Sequence, residues 1–177
     1  MNVLVVVDMQ KDFVDGALGT PEAQAIVPSV CEKIKSFSGM VAATFDTHQE
    51  GYLMTQEGIN LPVVHCMQDT SGWELNAAVR AALEERGSVP EFHKPTFGSV
   101  ELARWLDDLH KEEPLDEVIL IGLCTDICVI SNALLIKAHL PEVKVTVDAA
   151  CCAGVTPASH KNALEAMKMC QIHIENP

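Results

Sequence analysis

The stretch Val118-Ile119-Leu120-Ile121-Gly122-Leu123-Cys124-Thr125-Asp126-Ile127-Cys128-Val129 runs from a short apolar segment through an open turn into a helical pattern. Val118 to Leu123 is continuously apolar, as suits a strand buried on both faces. The next segment carries Val129, Ile130, Ala133, Leu134 and Ile136, an apolar helix face expected to pack on a sheet. A cysteine is thereby set at the start of a helix, where backbone N–H groups and the helix dipole favour negative charge. A thiol there is expected to ionise below its free pKa of about 8.5 and to serve as a nucleophile. The plainer alternative is a buried, inert cysteine.

The same strand-then-helix pattern recurs outward from this point. Val3 to Val7, Met40 to Phe45 and Val143 to Val147 repeat the buried-strand character. Helical spacing follows in Ile26, Val30, Ile34 and Phe37, in Leu75, Val79, Ala82 and Leu83, and in Leu102, Trp105, Leu106 and Leu109. Thr156 and Pro157 form a start signal for a further helix bearing Ala163, Leu164 and Met167. The alternation predicts an α/β fold, a three-layer open parallel sheet with helices on both faces, built as one domain over residues 1–177. There is no internal repeat and no linker. Gly51 to Pro62 reads as the one long irregular stretch, and such loops are often functional.

Composition narrows the partners. Twelve basic and 25 acidic residues give a net charge of −13, which argues against nucleic acid or an anionic membrane surface and favours a small neutral or cationic substrate. No apolar run approaches the roughly 20 residues of a membrane span, and no basic flank precedes the first apolar run, so a cytoplasmic protein is expected. Seven cysteines, at 31, 66, 124, 128, 151, 152 and 170, are odd in number and scattered, as reduced thiols would be.

In open α/β sheets ligands collect beyond the carboxyl ends of the strands. The first strand ends at Asp8, the second at Asp46 and His48, the segment before the third helix supplies Lys94, and the fourth strand leads to Cys128. Taken singly, Asp8 reads as a turn residue and Lys94 as a solvated charge. Together they form a cysteine, an acid and a cation suited to acyl transfer. Asp8 would take the thiol proton and return it to a leaving amine, Lys94 would favour both ionised forms, and backbone N–H groups around Cys124 and Cys128 would receive the oxyanion. Asp46 and His48, with His65 and Glu57 downstream, have the character of ligands for zinc, manganese or iron(II). Spacing alone equally allows Glu57 to be a solvated loop carboxylate.

The motifs Val7-Asp8-Met9-Gln10-Lys11-Asp12-Phe13, Phe45-Asp46-Thr47-His48, Leu61-Pro62-Val63-Val64-His65-Cys66, His93-Lys94-Pro95-Thr96-Phe97-Gly98-Ser99 and Gly122 to Val129 span nearly the whole chain. With them the sequence resembles the isochorismatase-like cysteine hydrolases, most closely their nicotinamidase branch. That resemblance implies a catalytic triad of Asp8, Lys94 and Cys128. It also implies a cis peptide at Leu123–Cys124, an oxyanion hole from the Cys124 and Cys128 N–H groups, and a divalent metal, zinc first and manganese or iron as alternatives, on Asp46, His48 and His65. Glu57 stands where some relatives supply a fourth ligand. Phe13 and Phe97, beside catalytic motifs, are the expected ring contacts.

The activity so implied is hydrolysis of nicotinamide to nicotinate and ammonia, in pyridine-nucleotide salvage, by a homo-oligomer. The alternatives are hydrolysis of another small amide or ureido compound, or a catalytically idle metal-binding or interaction relative. One departure stands out: where relatives carry Gly-Thr after the metal histidine, this chain has Asp69-Thr70, at a position expected to need a positive φ that aspartate can visit. Cys151 and Cys152 are expected only to pack.

Overall fold

The computed structural model describes residues 1–177. Six strands, β1 (Asn2–Val7), β2 (Met40–Asp46), β3 (Glu91–Lys94), β4 (Glu117–Leu123), β5 (Lys144–Ala153) and β6 (His173–Glu175), form one sheet in the order β3-β2-β1-β4-β5-β6. Every pairing is parallel. β1, β2 and β4 coincide with the apolar runs of the sequence, whereas β5 starts one residue after Val143 and continues past the expected end at Val147, through Cys151 and Cys152, to Ala153. The two edge strands were not expected there, because Glu91-Phe92-His93-Lys94 and His173-Ile174-Glu175 are short and polar, as sheet edges tend to be. Between β4 and β5 the register shifts at Leu120/Gly122. Gly122 has φ +116 and an added Cβ would lie 2.1 Å from the Val7 carbonyl oxygen, so this close approach admits only glycine.

Alternation along β1 divides the core into two layers. Val3, Val5 and Val7 point to one face, where Leu102 and Leu106 of α5 (Val100–Glu112), Ala133 and Ile136 of α6 (Ile130–His139), and Leu164 and Met167 of α7 (Pro157–Met169) cover them. Leu4 and Val6 point to the other, under Val30 and Ile34 of α2 (Pro21–Ser36) and Val79, Ala82 and Leu83 of α4 (Ala77–Glu84). The result is the three-layer α/β arrangement expected from the alternation. Helix starts follow local chemistry: Thr20 Oγ1 accepts from Ala23 N–H at 3.0 Å with Pro21 next in line, and Thr156 with Ser159 makes a reciprocal capping box.

Several local expectations are corrected. Phe37 caps α2 and Leu75 precedes α4. Leu134 is exposed on the outer side of α6, although it shares the apolar spacing. The stretch Gly51 to Pro62 is not irregular; it holds a 3-10 turn at Tyr52–Met54 and the short helix α3 (Gln56–Asn60), with Thr55 Oγ1 accepting from Gly58 N–H at 3.0 Å. A four-residue helix, α1 (Lys11–Val14), follows β1. Asp69 has φ +64, the left-handed angle its family glycine would suit.

At the β5–β6 edge, Lys33 of α2 lies 2.7 Å from Asp148 and 2.8 Å from Glu175, with Asp148 buried. Burial works against both charges, yet the pairing outweighs it, raising Lys33 above the ordinary lysine pKa and lowering Asp148 below the ordinary carboxylate value. The stabilisation is present above the unfolded carboxylate pKa and is lost as pH falls through the lowered value of Asp148; at the alkaline end it is lost as Lys33 deprotonates. Lys33→Met should therefore cost about 2 kcal/mol near neutrality. In denaturant titrations the gap to the parent should close as the pH falls below about 4; a gap unchanged at acid pH would contradict the ion-pair account.

Candidate active site

Chain direction in a parallel sheet brings all the carboxyl ends to one edge, and β1 and β4 lie side by side where the strand order reverses. The helix after β1 covers one face and the helix after β4 the other, which opens a crevice between them. Asp8 follows β1 directly, with φ +47, and its N–H donates to the Thr44 carbonyl at 3.2 Å while the Thr44 hydroxyl donates to Asp8 Oδ1 at 2.6 Å. Lys94 ends β3 in register with Asp46, the last residue of β2. Its Nζ sits 2.6 Å from Asp8 Oδ2 and 3.5 Å from Cys128 Sγ. Asp8, Lys94 and Cys128, distant in sequence, thus meet in one buried group.

Cys128 does not stand at the first residue of a regular helix. It lies in a wide turn, Thr125–Val129, in which Val129 N–H donates to the Cys124 carbonyl five residues back at 3.0 Å, and α6 begins only afterwards. The expected low thiol pKa is corrected as well. Burial pushes the Cys128 thiol well above its ordinary value, the Asp8 carboxylate adds to the rise, and Lys94 only partly offsets it. Burial likewise raises Asp8 against the pull of Lys94. Lys94 loses solvation too, but Asp8, Cys128 and Asp46 together hold it charged, above the usual lysine range. Burial thus favours the protonated thiol, with the Asp8 carboxyl and the Lys94 ammonium in direct contact beside it. The Leu123–Cys124 peptide is cis, and the Cys124 N–H has no backbone or side-chain acceptor. All seven cysteines are free; burial pushes the Cys124 thiol up to about 12.

Beside this group, one ligand atom from each of Asp46, His48, Glu57 and His65 lies within 4.8 Å of the others. His48 Nε2 is 3.0 Å and His65 Nε2 3.3 Å from Asp46 Oδ2, and Glu57 Oε1 is 3.4 and 3.7 Å from the same two nitrogens. The Val63 carbonyl can only accept, so the 2.7 Å contact to His65 Nδ1 puts the proton there and turns the Nε2 lone pair into the cluster. Asp46 Oδ1 is buried without a hydrogen-bond partner. Burial alone would raise Asp46, but His48, His65 and Lys94 draw it far below the ordinary carboxylate range, while burial and the Asp46 charge raise Glu57. Two carboxylates and two imidazoles with their acceptors converging are the donor set of a divalent cation.

Residues absent from the sequence-based candidates hold this cluster in place. Gln10, fully buried, donates to the Asp46 carbonyl at 2.8 Å and the Trp73 carbonyl at 2.9 Å and accepts from Asp46 N–H at 2.8 Å. Asp12 accepts from Cys66 N–H at 2.8 Å, next to His65. The signal in the sequence is slight: Gln10 and Asp12 lie between Met9 and the pair Phe13 and Val14, all three of which are buried.

A cavity of about 160 Å³ joins the two groups. Its lining includes Cys128, Cys124, Asp46, Glu57, His65, Phe13 and Phe97, with Leu18, Ile127 and Val155 completing apolar walls that the sequence did not single out. An apolar cavity of about 150 Å³ holds one benzene, so a single six-membered ring fits. Phe13 is buried and packs on His65 with ring centroids 5.5 Å apart, whereas Phe97 is 45% exposed at the cavity mouth.

The family model described as Isochorismatase domain matches residues 2–175. A nicotinamidase of Escherichia coli (strain K12) is 29% identical over 192 residues, covering 94% of this chain and 89% of that protein. Among solved structures, the pyrazinamidase of Pyrococcus horikoshii in complex with zinc is 29% identical with a TM-score of 0.77, over 98% of this chain and 97% of that one. The pyrazinamidase/nicotinamidase of Streptococcus mutans UA159 is 26% identical with a TM-score of 0.79, over 98% and 99%.

A thiol raised by burial is protonated near neutrality, and its thiolate fraction grows only at alkaline pH. Labelling of Cys128 by iodoacetamide, followed by peptide mass mapping, should therefore be slow at about pH 7 and still climbing above about pH 9. A fast rate that is flat across neutral pH would show a resting thiolate instead.

Proposed function

The chain belongs to the isochorismatase family, and from that premise we propose that it is a metal-containing cysteine amidohydrolase that converts nicotinamide and water to nicotinate and ammonia. The observation that carries this reading is the convergence of Cys128, Asp46, Glu57 and His65 on one cavity sized for a single ring. A nucleophile and a site for a ring nitrogen are then presented to one small rigid molecule. The similarity to a nicotinamidase and to pyrazinamidases supports the same choice.

In the mechanism Asp8 is the base. Its burial-raised carboxyl is matched to taking the Cys128 proton once substrate has displaced water from the cavity. The sulfur attacks the carboxamide carbon, and the oxyanion is received by the Cys124 and Cys128 N–H groups. The C–N bond breaks as Asp8 returns the proton to nitrogen, and ammonia leaves. Water then adds to the thioester carbon while Asp8 accepts its proton; the C–S bond breaks, Cys128 is reprotonated and nicotinate departs. Lys94, 2.6 Å from Asp8 and 3.5 Å from Cys128, keeps the base oriented and offsets the charge on sulfur as it forms. Phe13 and Phe97 wall the ring. Asp46, His48, Glu57 and His65 would hold a divalent metal, with zinc the first choice and manganese or iron(II) the alternatives, supplying a Lewis-acid site that orients the ring through its nitrogen.

The free thiols support a reducing, cytoplasmic setting, and no helix is long and apolar enough to cross a membrane. A role in pyridine-nucleotide salvage and a homo-oligomeric state complete the reading.

Three measurements test it. Purified protein should carry close to one divalent ion per chain by elemental analysis, and Asp46→Ala or His48→Ala should lose it. Cys128→Ala should fold but release no ammonia. Benzamide, which lacks the ring nitrogen, should be about 10²-fold poorer than nicotinamide if that contact is worth about 3 kcal/mol in the transition state. Equal rates on the two amides would remove the metal from substrate orientation, and a Cys128→Ala enzyme that still turned over would remove the thioester.

A further inference from the structure

Four residues after Cys128, on the first turn of α6, Asn132 is fully buried and uses its amide on three backbone groups at once. Its Nδ2 donates to the Cys128 carbonyl at 2.8 Å and to the Phe97 carbonyl at 3.2 Å, while its Oδ1 accepts from Ser99 N–H at 2.9 Å. These groups belong to two different loops. One is the wide turn that carries Cys128; the other is the connection from β3 to α5, which begins just after Lys94 and passes Phe97. The second loop also presses directly on α6. A Cβ added to Gly98 would lie 3.2 Å from the Ser131 carbonyl oxygen and 3.4 Å from Leu135 Cδ2. The backbone there is held close, and Asn132 is the polar bolt through the contact.

We propose that Asn132 is a positioning residue that fixes the Cys128 sulfur relative to the Phe97 wall of the cavity, and so sets the geometry in which the carboxamide meets its nucleophile. The inference rests on the amidohydrolase reading. A wide turn lacks the regular ladder that would hold the backbone of a helix start, and the β3–α5 loop has no strand partner beyond Lys94. Each is orientable on its own, and the shared amide makes them one unit. Ser99 strengthens the joint, since its hydroxyl caps α5 by accepting from Leu102 N–H at 3.1 Å while its own N–H is held by Asn132. Asn132 does not line the cavity, so its effect is transmitted through Cys128 and Phe97.

The test compares Asn132→Asp, Asn132→Thr and Met167→Ala with the parent. Asp keeps the acceptor for Ser99 but cannot donate to the two carbonyls; Thr can replace one donor through its hydroxyl. Met167 is buried in the same core layer away from the cavity and controls for lost stability alone. Ammonia release from nicotinamide gives kcat and KM, iodoacetamide gives the Cys128 labelling rate, and thermal unfolding gives Tm. Asn132→Asp should raise KM, lower kcat and reduce kcat/KM by about ten- to a hundredfold, with Asn132→Thr intermediate. Met167→Ala should lower Tm and leave both constants near parental values. If Asn132→Asp does not fold, the Thr variant decides by the same criterion. Asn132 variants that lose Tm but match Met167→Ala in kinetics and labelling would overturn the proposal. A parent that releases no ammonia from nicotinamide would defeat the functional reading instead, and the labelling rates would still judge Asn132: altered rates support the clamp and parental rates overturn it.

Discussion

A buried ammonium is the constraint around which the active edge is organised. Lys94, 2% exposed, closes the last register position of an edge strand and would be intolerable there alone. It is held by Asp8 at 2.6 Å, Asp46 at 3.8 Å and the Cys128 sulfur at 3.5 Å. Removing one partner of such a pair typically costs about 3–5 kcal/mol because the other charge stays buried. The ends of β1, β2 and β3 and the turn after β4 are therefore tied together by charge as well as by the sheet. The same enclosure raises the Cys128 thiol. The cation beside it is shared with Asp8 and Asp46, so it offsets only part of what burial and the Asp8 carboxylate do to the sulfur.

Next to that neutralised pair lies a cluster that is not neutralised. Asp46 faces Lys94 on one side and two imidazoles on the other, with Glu57 closing the ring. The Gln10 amide fixes the Asp46 backbone on both its donor and acceptor sides, and the Val63 carbonyl fixes the tautomer of His65. The surroundings thus fix these side chains with their acceptors turned inward. The cavity then has two unlike ends, a carboxylate–imidazole cluster and a buried thiol, at the point where the strand order reverses.

Much of this was legible in the chain. The four central strands declared themselves because a strand buried on both faces must be apolar throughout. Asp8 and Asp46 were legible because each stands at or just past the carboxyl end of an apolar strand, where a parallel sheet gathers its polar groups, and Lys94 because it leads into the next helix. Other features escaped for identifiable reasons. β3 and β6 are edge strands whose polar composition carries no strand signal. Leu134 shares the helical spacing of its neighbours yet faces outward, because α6 is covered on only part of its circumference. The segment around Glu57 reads as a loop since its helices are short and held by one threonine cap and by contacts of Tyr52 with His48 and His65.

By itself the sequence determined the α/β class, the parallel direction of the sheet and hence the edge on which the chemistry-bearing residues gather, because periodicity and chain direction are local properties that add up without knowledge of contacts. Only the tertiary structure decided the charge state of Cys128, the convergence of Glu57 with Asp46, His48 and His65, and the three-way clamp at Asn132. Each depends on how much water is excluded and which group from a distant segment arrives within hydrogen-bond or Coulomb range. An exposed helix start would argue for a thiolate; Cys128 instead lies in a wide turn, enclosed at 5% exposure beside a carboxylate, and there burial is the larger effect.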